Sequence, residues 1–367
     1  MHAKPQTCDP ARCHDIATRF AIRRPISVIS PLGRGLINDT FRLEAGGQVY
    51  VLQRINARVF PDPAQIMTNL RVLSNHLADL DDPGLRLPAL IPTREGADFL
   101  CDVDNGVWRL LEFIPDTVTL SQIERAGQAR EVGRILGGLH RAVASLPTTR
   151  LGFALPSFHA TPDYLARLLT VAAHNTSDSA DCLEFVSARR ELAGVLETAH
   201  QAGRIRQRVI HGDPKLDNIL FDQTGDCARA LIDLDTVQPG LLQHDLGDCL
   251  RSCCNRVGEQ GGAEVRFDLS LCANILRGYA SETRDILTAA DIALFYDAIR
   301  LLPFELGLRF LTDHLEGDRY FRVSRHGENL HKAQVQFALV ADIERQEQAL
   351  RTLIVECFGD VILQPHG

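Results

Sequence analysis

The sequence predicts an α+β chain of two lobes: an N-terminal antiparallel β-sheet lobe with one helix, and a larger, mainly helical C-terminal lobe. Three observations carry this expectation. Residues 26–55 alternate short β-branched runs with glycine turns, residues 62–80 repeat apolar positions every three or four, and from about Ser121 the helical period dominates. With 367 residues and 45% hydrophobic composition, the chain has enough apolar surface for a sizeable core.

Taken in order, Ile26-Ser-Val-Ile reads as a strand, Gly33-Arg-Gly35 as a turn, and Thr40-Phe-Arg-Leu as a strand leading to Gly46-Gly47. Val49-Tyr-Val-Leu-Gln-Arg-Ile resumes the sheet. Ile66, Leu70, Leu73 and Leu77 share one face of a helix between Asp62 and Leu80. After Pro88, strand-like segments reach Val107-Trp-Arg-Leu-Leu-Glu-Phe-Ile, which Pro115 ends. Val132, Ile135, Leu136, Leu139 and Val143 define an amphipathic helix, and residues 187–202 a second one that Gly203 closes. Arg208-Val-Ile, Asn218-Ile-Leu-Phe and Ala228-Arg-Ala-Leu-Ile are short strands flanking polar loops, with a turn at Thr224-Gly-Asp. No period of ~20–50 residues repeats and no low-complexity linker divides the chain.

With 39 Lys+Arg against 47 Asp+Glu the net charge is −8, which disfavours an extended nucleic-acid surface. Ten cysteines are scattered without paired C-x-x-C knuckles, so reduced and mostly buried thiols are expected rather than a zinc site. The first residues lack the apolar core of a signal peptide and no run of ~18 apolar residues occurs, so a cytoplasmic protein without a membrane role is expected. No motif fixes the oligomeric state, and a monomer is the expectation. The first ~25 residues carry no recognisable role.

The chemistry is concentrated in His211-Gly-Asp213-Pro-Lys215-Leu-Asp-Asn218 and, further on, Asp233-Leu-Asp235. Both groups follow apolar strands, so their polar side chains are delivered to strand ends. Phosphoryl transfer needs a carboxylate to orient the attacking hydroxyl, oxygen ligands for Mg²⁺ and a cation on the γ-phosphate. Asp213, the Asn218/Asp233 pair and Lys215 supply these in that order, with Asp235 a further metal candidate.

This pattern resembles the protein-kinase catalytic loop, in which the base Asp precedes a metal-binding Asn by five residues and a D-F-G Asp follows. Gly212 stands where that loop has Arg, and Asp233-Leu-Asp235 where it has D-F-G. Both departures are those of the aminoglycoside phosphotransferase and choline kinase superfamily. The resemblance implies a bilobal protein-kinase-like fold, use of ATP with Mg²⁺, a small-molecule acceptor and constitutive activity. It divides the chain into a nucleotide-binding lobe at 1–110, a hinge at 111–120 and a catalytic and substrate-binding lobe at 121–367.

A narrower resemblance runs from about residue 30 to 345. Gly33–Thr40, Val51–Asn56, Trp108–Ile114, Leu231–Gly240, Asp245–Asp248 and Glu305–Asp313 look like the N-acetylhexosamine 1-kinase group. That group phosphorylates the anomeric hydroxyl of N-acetylglucosamine and N-acetylgalactosamine, and the resemblance implies a sugar site of Asp213, Arg309 and Tyr320. Asn38 and Asp39 are secondary candidates at the cleft mouth. For ATP, Gly33 and Gly35 would let backbone amides approach phosphates, and Glu112, Phe113 and Ile114 would meet the adenine at the hinge. The strand that ordinarily carries a phosphate-binding Lys reads Gln53-Arg54, which makes Arg54 the candidate cation, and no Glu on the next helix stands at an obvious pairing position.

Bland alternatives accompany these assignments. Arg309 stands four residues from both Glu305 and Asp313, a spacing that also suits a solvated ion-pair ladder. His140 and His211 read as structural supports, and Asp245 and Asp248 as braces of the metal loop. A kinase for another alcohol, of aminoglycoside or choline type, is the second hypothesis; such cationic substrates call for carboxylates or an aromatic cage. A nucleotide-binding pseudokinase is the third.

Overall fold

A computed structural model describes residues 9–33, 37–80, 85–173, 179–261, 264–321 and 323–363. Helix α1 (Pro10–Thr18) precedes a meander of β1 (Ile26–Pro31), β2 (Asp39–Ala45) and β3 (Gln48–Ile55), in which Gly46 and Gly47, both at positive φ, make the β2–β3 hairpin turn. Helix α2 (Pro63–Ala78) starts at Asp62, whose side chain accepts from the Gln65 amide at 3.2 Å, with Pro63 in the first turn. Short strands β4 (Leu90–Ile91) and β5 (Leu100–Cys101) both pair with β6 (Val107–Glu112), which lies beside β3, and every pairing is antiparallel.

This sheet has two unlike faces. Phe41, Leu43, Leu52, Trp108 and Leu110 form an apolar side that α1 covers with Cys13, Ile16 and Ala17, followed by Phe20. Asp102 ties the two together: it accepts from Arg12 at 2.6 Å and from the Trp108 indole at 2.7 Å. The N-terminal lobe therefore carries two helices, where the sequence predicts one. The apolar spacing 13, 16, 17, 20 fits a helix face, but the stripe is too short to stand out from sequence alone. On the opposite side, Thr40, Val51, Gln53, Arg109 and Leu111 follow the alternation of the strands, and Val51 packs against the large central core.

Past the hinge, β7 (Thr117–Thr119) pairs with β9 (Ile219–Asp222), which also pairs with β10 (Ala228–Leu231), while β8 (Arg208–Ile210) pairs with β11 (Gln238–Gly240). The remaining described elements are α3 (Ala126–Ala142), α4 (Thr161–Ala172), α5 (Ala180–Ser187), α6 (Val195–Gln201), α7 (Leu242–Cys254), α8 (Leu269–Thr283), α9 (Ala289–Ala293), α10 (Phe295–Leu315), α11 (Glu328–Arg345) and α12 (Glu347–Ile362). Helix α3 lies along α8, and α10 is flanked by α4, α7 and α11. Gly307 permits the α10–α11 contact, because a Cβ there would meet the Phe337 ring at 2.4 Å. The two-lobed α+β architecture is the one the sequence predicts.

Two local expectations need correction. Residues 187–202 are not one helix: α5 ends at Ser187, Arg190–Gly194 form a 3-10 turn, and Gly194 caps α6. Cys13 is disulfide-bonded, against the expectation of thiols throughout, whereas Cys182, Cys249, Cys253, Cys254, Cys272 and Cys357 are buried free thiols. Among the described residues, no helix is long and apolar enough to cross a membrane.

Candidate active site

The catalytic loop leaves β8 at Ile210 and is fixed from below by one carboxylate. Asp245, fully buried on α7, accepts from the His211 and Gly212 amides at 2.7 and 2.8 Å, and His140 Nε2 lies 2.9 Å from the same group. Burial works to raise this carboxyl, but His140 and then His211 outweigh it and hold it below its ordinary range. His140 Nδ1 is 2.8 Å from the Tyr279 hydroxyl, so Asp245 and His140 act as the supports expected of them. His211 is also structural: Nε2 sits 3.1 Å from the Ile232 carbonyl and Nδ1 accepts from the Asp213 amide at 3.3 Å.

Gly212 occupies a position that only glycine fits. Its φ is +88°, and an added Cβ would meet the Thr236 carbonyl oxygen at 2.7 Å. A larger residue such as Arg would not fit this close approach between the Asp213 loop and the segment after Asp235. The Thr236 hydroxyl completes that contact by donating to the His211 carbonyl at 2.8 Å.

Above this base, Lys215 Nζ donates to Asp213 Oδ2 at 2.6 Å, and Asn218 Nδ2 donates to the Asp213 carbonyl at 2.8 Å and to Oδ2 at 3.2 Å. Burial pushes the Asp213 carboxyl up, yet Lys215 outweighs it, so Asp213 stays ionised below its usual value; Lys215 is raised in return, with Asp213 and Asp233 overcoming its own desolvation. Asn218 spends its amide N–H on Asp213, which leaves Oδ1 as an acceptor. Asp233 adopts a left-handed backbone, φ +61°, and is exposed where its neighbours Leu234 and Asp235 are buried. The surrounding protein, and Asp235 beside it, raise this carboxyl to about 6 even though solvent reaches it. An amide oxygen and a crowded carboxylate make a hard-oxygen donor set that fits Mg²⁺.

Asp235 departs from the expectation of a metal ligand. Only 2% exposed, it receives Arg109 on one oxygen and Asn38 Nδ2, at 2.7 Å, on the other, so both oxygens are already committed. Asn38 also accepts from the Asn56 amide at 3.0 Å, which makes it part of an interlobe clamp rather than a free residue at the cleft mouth. Arg109 is 1% exposed and further donates to Gln53 Oε1 at 2.7 and 2.9 Å. Sequence reasoning missed Arg109; its only signal is a lone cation inside the apolar strand Val107-Trp-Arg-Leu-Leu.

Arg54 does not join this group. One residue along β3 from Gln53, it projects on the other face, with its guanidinium 5.9 Å from the Trp108 ring, and Asp39 stands opposite it in register. The N-terminal lobe is instead tied to the rest of the chain by Gln53–Arg109–Asp235 and by Asn69 on α2. Asn69, 1% exposed, donates to the Gly152 and Val237 carbonyls, each at 2.8 Å. At the hinge, Glu112 pairs with Arg86, Phe113 lies 6.0 Å from the Arg42 guanidinium and Ile114 is buried. Gly33 has φ +71° with open space around it, while Gly35 lies outside the described residues.

The proposed acceptor side is joined to this centre through α10. His159 places Nδ1 2.9 Å from Glu305 Oε1 and Nε2 2.9 Å from the Gly212 carbonyl. Both partners are acceptors, an arrangement that only the doubly protonated imidazolium satisfies. Burial alone would lower the His159 pKa, and Glu305 overcomes it to leave the pKa raised; burial likewise opposes the Glu305 carboxylate, which His159 holds at about 2. One turn on, Arg309 lies among four rings: Tyr164 at 5.3 Å, Phe158 at 5.5 Å, Phe321 at 5.6 Å and Tyr320 at 6.0 Å. The ion-pair ladder does not form. Glu305 is taken by His159 and Thr161, while Asp313 accepts from the backbone amides of Arg319, Tyr320 and Phe321.

Comparison with known proteins accords with this arrangement. A family model described as a phosphotransferase enzyme family, APH, matches residues 28–281. Among solved structures, the chain is similar to a microcompartment-associated aminopropanol kinase, with TM-score 0.66, 18% identity and coverage of 94% of this chain and 99% of that one. It is also similar to an aminoglycoside phosphotransferase from Alicyclobacillus acidocaldarius (0.65, 15% identity, 97% and 98% covered). Choline kinase from Cryptosporidium parvum follows (0.58, 13% identity, 90% and 93% covered). At such identities these likenesses concern the fold. The family match carries more, since it runs from β1 into α8 and takes in the sheet, the Asp213 loop and Asp233, and on that ground the chain belongs to the APH phosphotransferase enzyme family.

Proposed function

We propose that this protein is an ATP-dependent kinase that phosphorylates the anomeric C1 hydroxyl of an N-acetylhexosamine or related hexose. The observation that carries the reading is the Arg309–Tyr320 pair, coupled to the catalytic loop through Glu305 and His159. In this arrangement Asp213 orients the acceptor hydroxyl and takes its proton late, because the transition state of phosphoryl transfer is loose. Lys215 offers a cation beside Asp213 for the equatorial oxygens of the transferred group. Asn218 Oδ1 and the Asp233 carboxylate would hold Mg²⁺, whose bound charge would neutralise the polyphosphate. Gly33 and Glu112–Ile114 would meet the nucleotide.

The acceptor side also argues between substrate classes. An aromatic cage suits a cationic ligand, but here Arg309 itself fills the cage, and a second cation would meet its repulsion. A neutral polyol can instead accept from the guanidinium. The test is a panel of free hexoses, N-acetylhexosamines, amino alcohols and aminoglycosides with ATP, the products read by ³¹P NMR. The expected product is coupled to the anomeric proton. Turnover of an amino alcohol or aminoglycoside with none of any reducing sugar overturns the reading in favour of a cationic acceptor.

A further inference from the structure

At the far end of α10, beyond the site just described, three side chains from separate turns of chain converge. His314 belongs to the last turn of α10, Asp318, itself at φ +58°, follows Gly317, and His326 comes just before α11. One donor atom from each lies within 4.8 Å of the other two. We propose that His314, Asp318 and His326 form a binding site for a borderline divalent cation of the Zn²⁺ class, with the fourth position open to water.

The case rests on how the donors are held. His314 is only 5% exposed, and the Asp318 side chain is 8% exposed. Asp318 does not choose its orientation freely: Asn329, fully buried, donates from Nδ2 to Asp318 Oδ1 at 2.9 Å and to Asp313 Oδ2 at 2.9 Å. Oδ2 of Asp318 is thereby aimed at His326, with Nδ1 at 3.5 Å. That separation matches the edge of a tetrahedron with metal–ligand bonds of about 2.0–2.1 Å, where donors stand roughly 3.3–3.5 Å apart. Fixing a ligating carboxylate by an outer amide is the support a metal site requires. The remaining closure falls to His326, whose side chain is 80% exposed and can turn. Two imidazoles with one carboxylate favour Zn²⁺ over Mg²⁺, so the site differs in chemistry from the oxygen pair Asn218 and Asp233.

The location gives such an ion a structural consequence. Residues 316–327 carry Tyr320 and Phe321, which flank Arg309, and Asp313 already ties the backbone of 319–321 to α10. A cation shared by α10, Asp318 and His326 would fasten the other end of the same segment. The alternative is a His326–Asp318 ion pair that holds no cation.

The test uses the full chain, stripped with chelator and titrated with Zn²⁺ in excess Mg²⁺ against a chromophoric competitor. One Zn²⁺ should bind, and Zn²⁺ should raise the melting temperature. His326→Ala, at an exposed position that leaves packing intact, should weaken that binding by at least the ~10- to 100-fold typical of losing an outer-shell partner. Asp318→Asn should do the same, whereas His14→Ala, at an exposed position on α1, should change nothing. If the wild type binds Zn²⁺ no more tightly than His326→Ala and Asp318→Asn do, the cluster is an ion pair only and the proposal fails.

Discussion

Arg109 of the N-terminal sheet and Asp235 of the C-terminal lobe form an ion pair in which both side chains are 2% exposed. They stand 126 residues apart in the chain and on different lobes, so the contact exists only when the lobes are in register. Removing one partner of a buried pair leaves the other charge uncompensated and typically costs about 3–5 kcal/mol. Arg109→Met should therefore lower stability by that order in denaturant titration. The double variant Arg109→Met with Asp235→Leu should lie closer to wild type than either single change. A loss under ~1 kcal/mol in Arg109→Met would show that the pair does not hold the lobes.

Asp233 and Asp235 stand two residues apart but should fail in different ways. Asp233→Ala removes an exposed carboxylate proposed to hold Mg²⁺, so it should abolish turnover with little change in melting temperature. Asp235→Ala breaks the interlobe clamp and should first appear as lost stability. Paired melting curves and Mg²⁺ titrations of activity separate these outcomes, and a stable but Mg²⁺-insensitive Asp235→Ala would exchange the roles.

Asp213→Asn should keep the fold, because the amide retains size and can still meet Asn218. Turnover should drop by ~10²-fold or more, as expected for loss of a positioned base. Near wild-type kcat in the folded variant would remove Asp213 from the base position.

The Glu305–His159 pair gives stability a bounded pH window. Glu305 is depressed to about 2 from an ordinary 4.5, so its contribution is present above ~4.5 and is lost as pH falls toward 2. His159 is raised from 6.5, so its contribution is full below 6.5 and is lost as pH rises through its higher folded value. Glu305→Gln should thus lose about 1.5–3 kcal/mol near pH 5–6, the worth of a charged hydrogen bond. The difference from wild type should shrink on either side. A pH-independent difference in chemical denaturation would show that the pair is not charged.

What the sequence discloses follows from what is local. Alternation in 26–55 and the spacing of Ile66, Leu70 and Leu73 announce their elements because strand and helix periods are short. The loop from His211 to Asn218 is legible because its chemistry is contiguous. Arg109, Asn69 and His159 were not, since each acts through a partner that is distant in sequence, and an Arg within an apolar strand gives no hint that its partner is Asp235. Arg54 misleads for a related reason: one step along a strand reverses the face, and only pairing with Arg109 identifies Gln53 as the residue on the cleft side.

Arg309 offers the sharpest test of substrate class. Its guanidinium is flanked by Phe158, Tyr164, Tyr320 and Phe321, and Glu305 one turn away reaches the Gly212 carbonyl of the Asp213 loop through His159. A sugar hydroxyl or N-acetyl oxygen placed against it would gain a charge-assisted hydrogen bond, and losing that donor leaves acceptor groups unpaired in the bound state. Arg309→Ala should raise the sugar KM at least ~10-fold, about 1.4 kcal/mol, with the ATP KM little changed. Arg309→Lys should rescue little of this, because an ammonium neither stacks between the rings nor donates in a planar fork. The lobes should remain stable in both variants, since Arg109–Asp235 and Asn69 are untouched. Equal rises in both KM values would point to a disturbed cleft, and an unchanged sugar KM would remove Arg309 from the acceptor site.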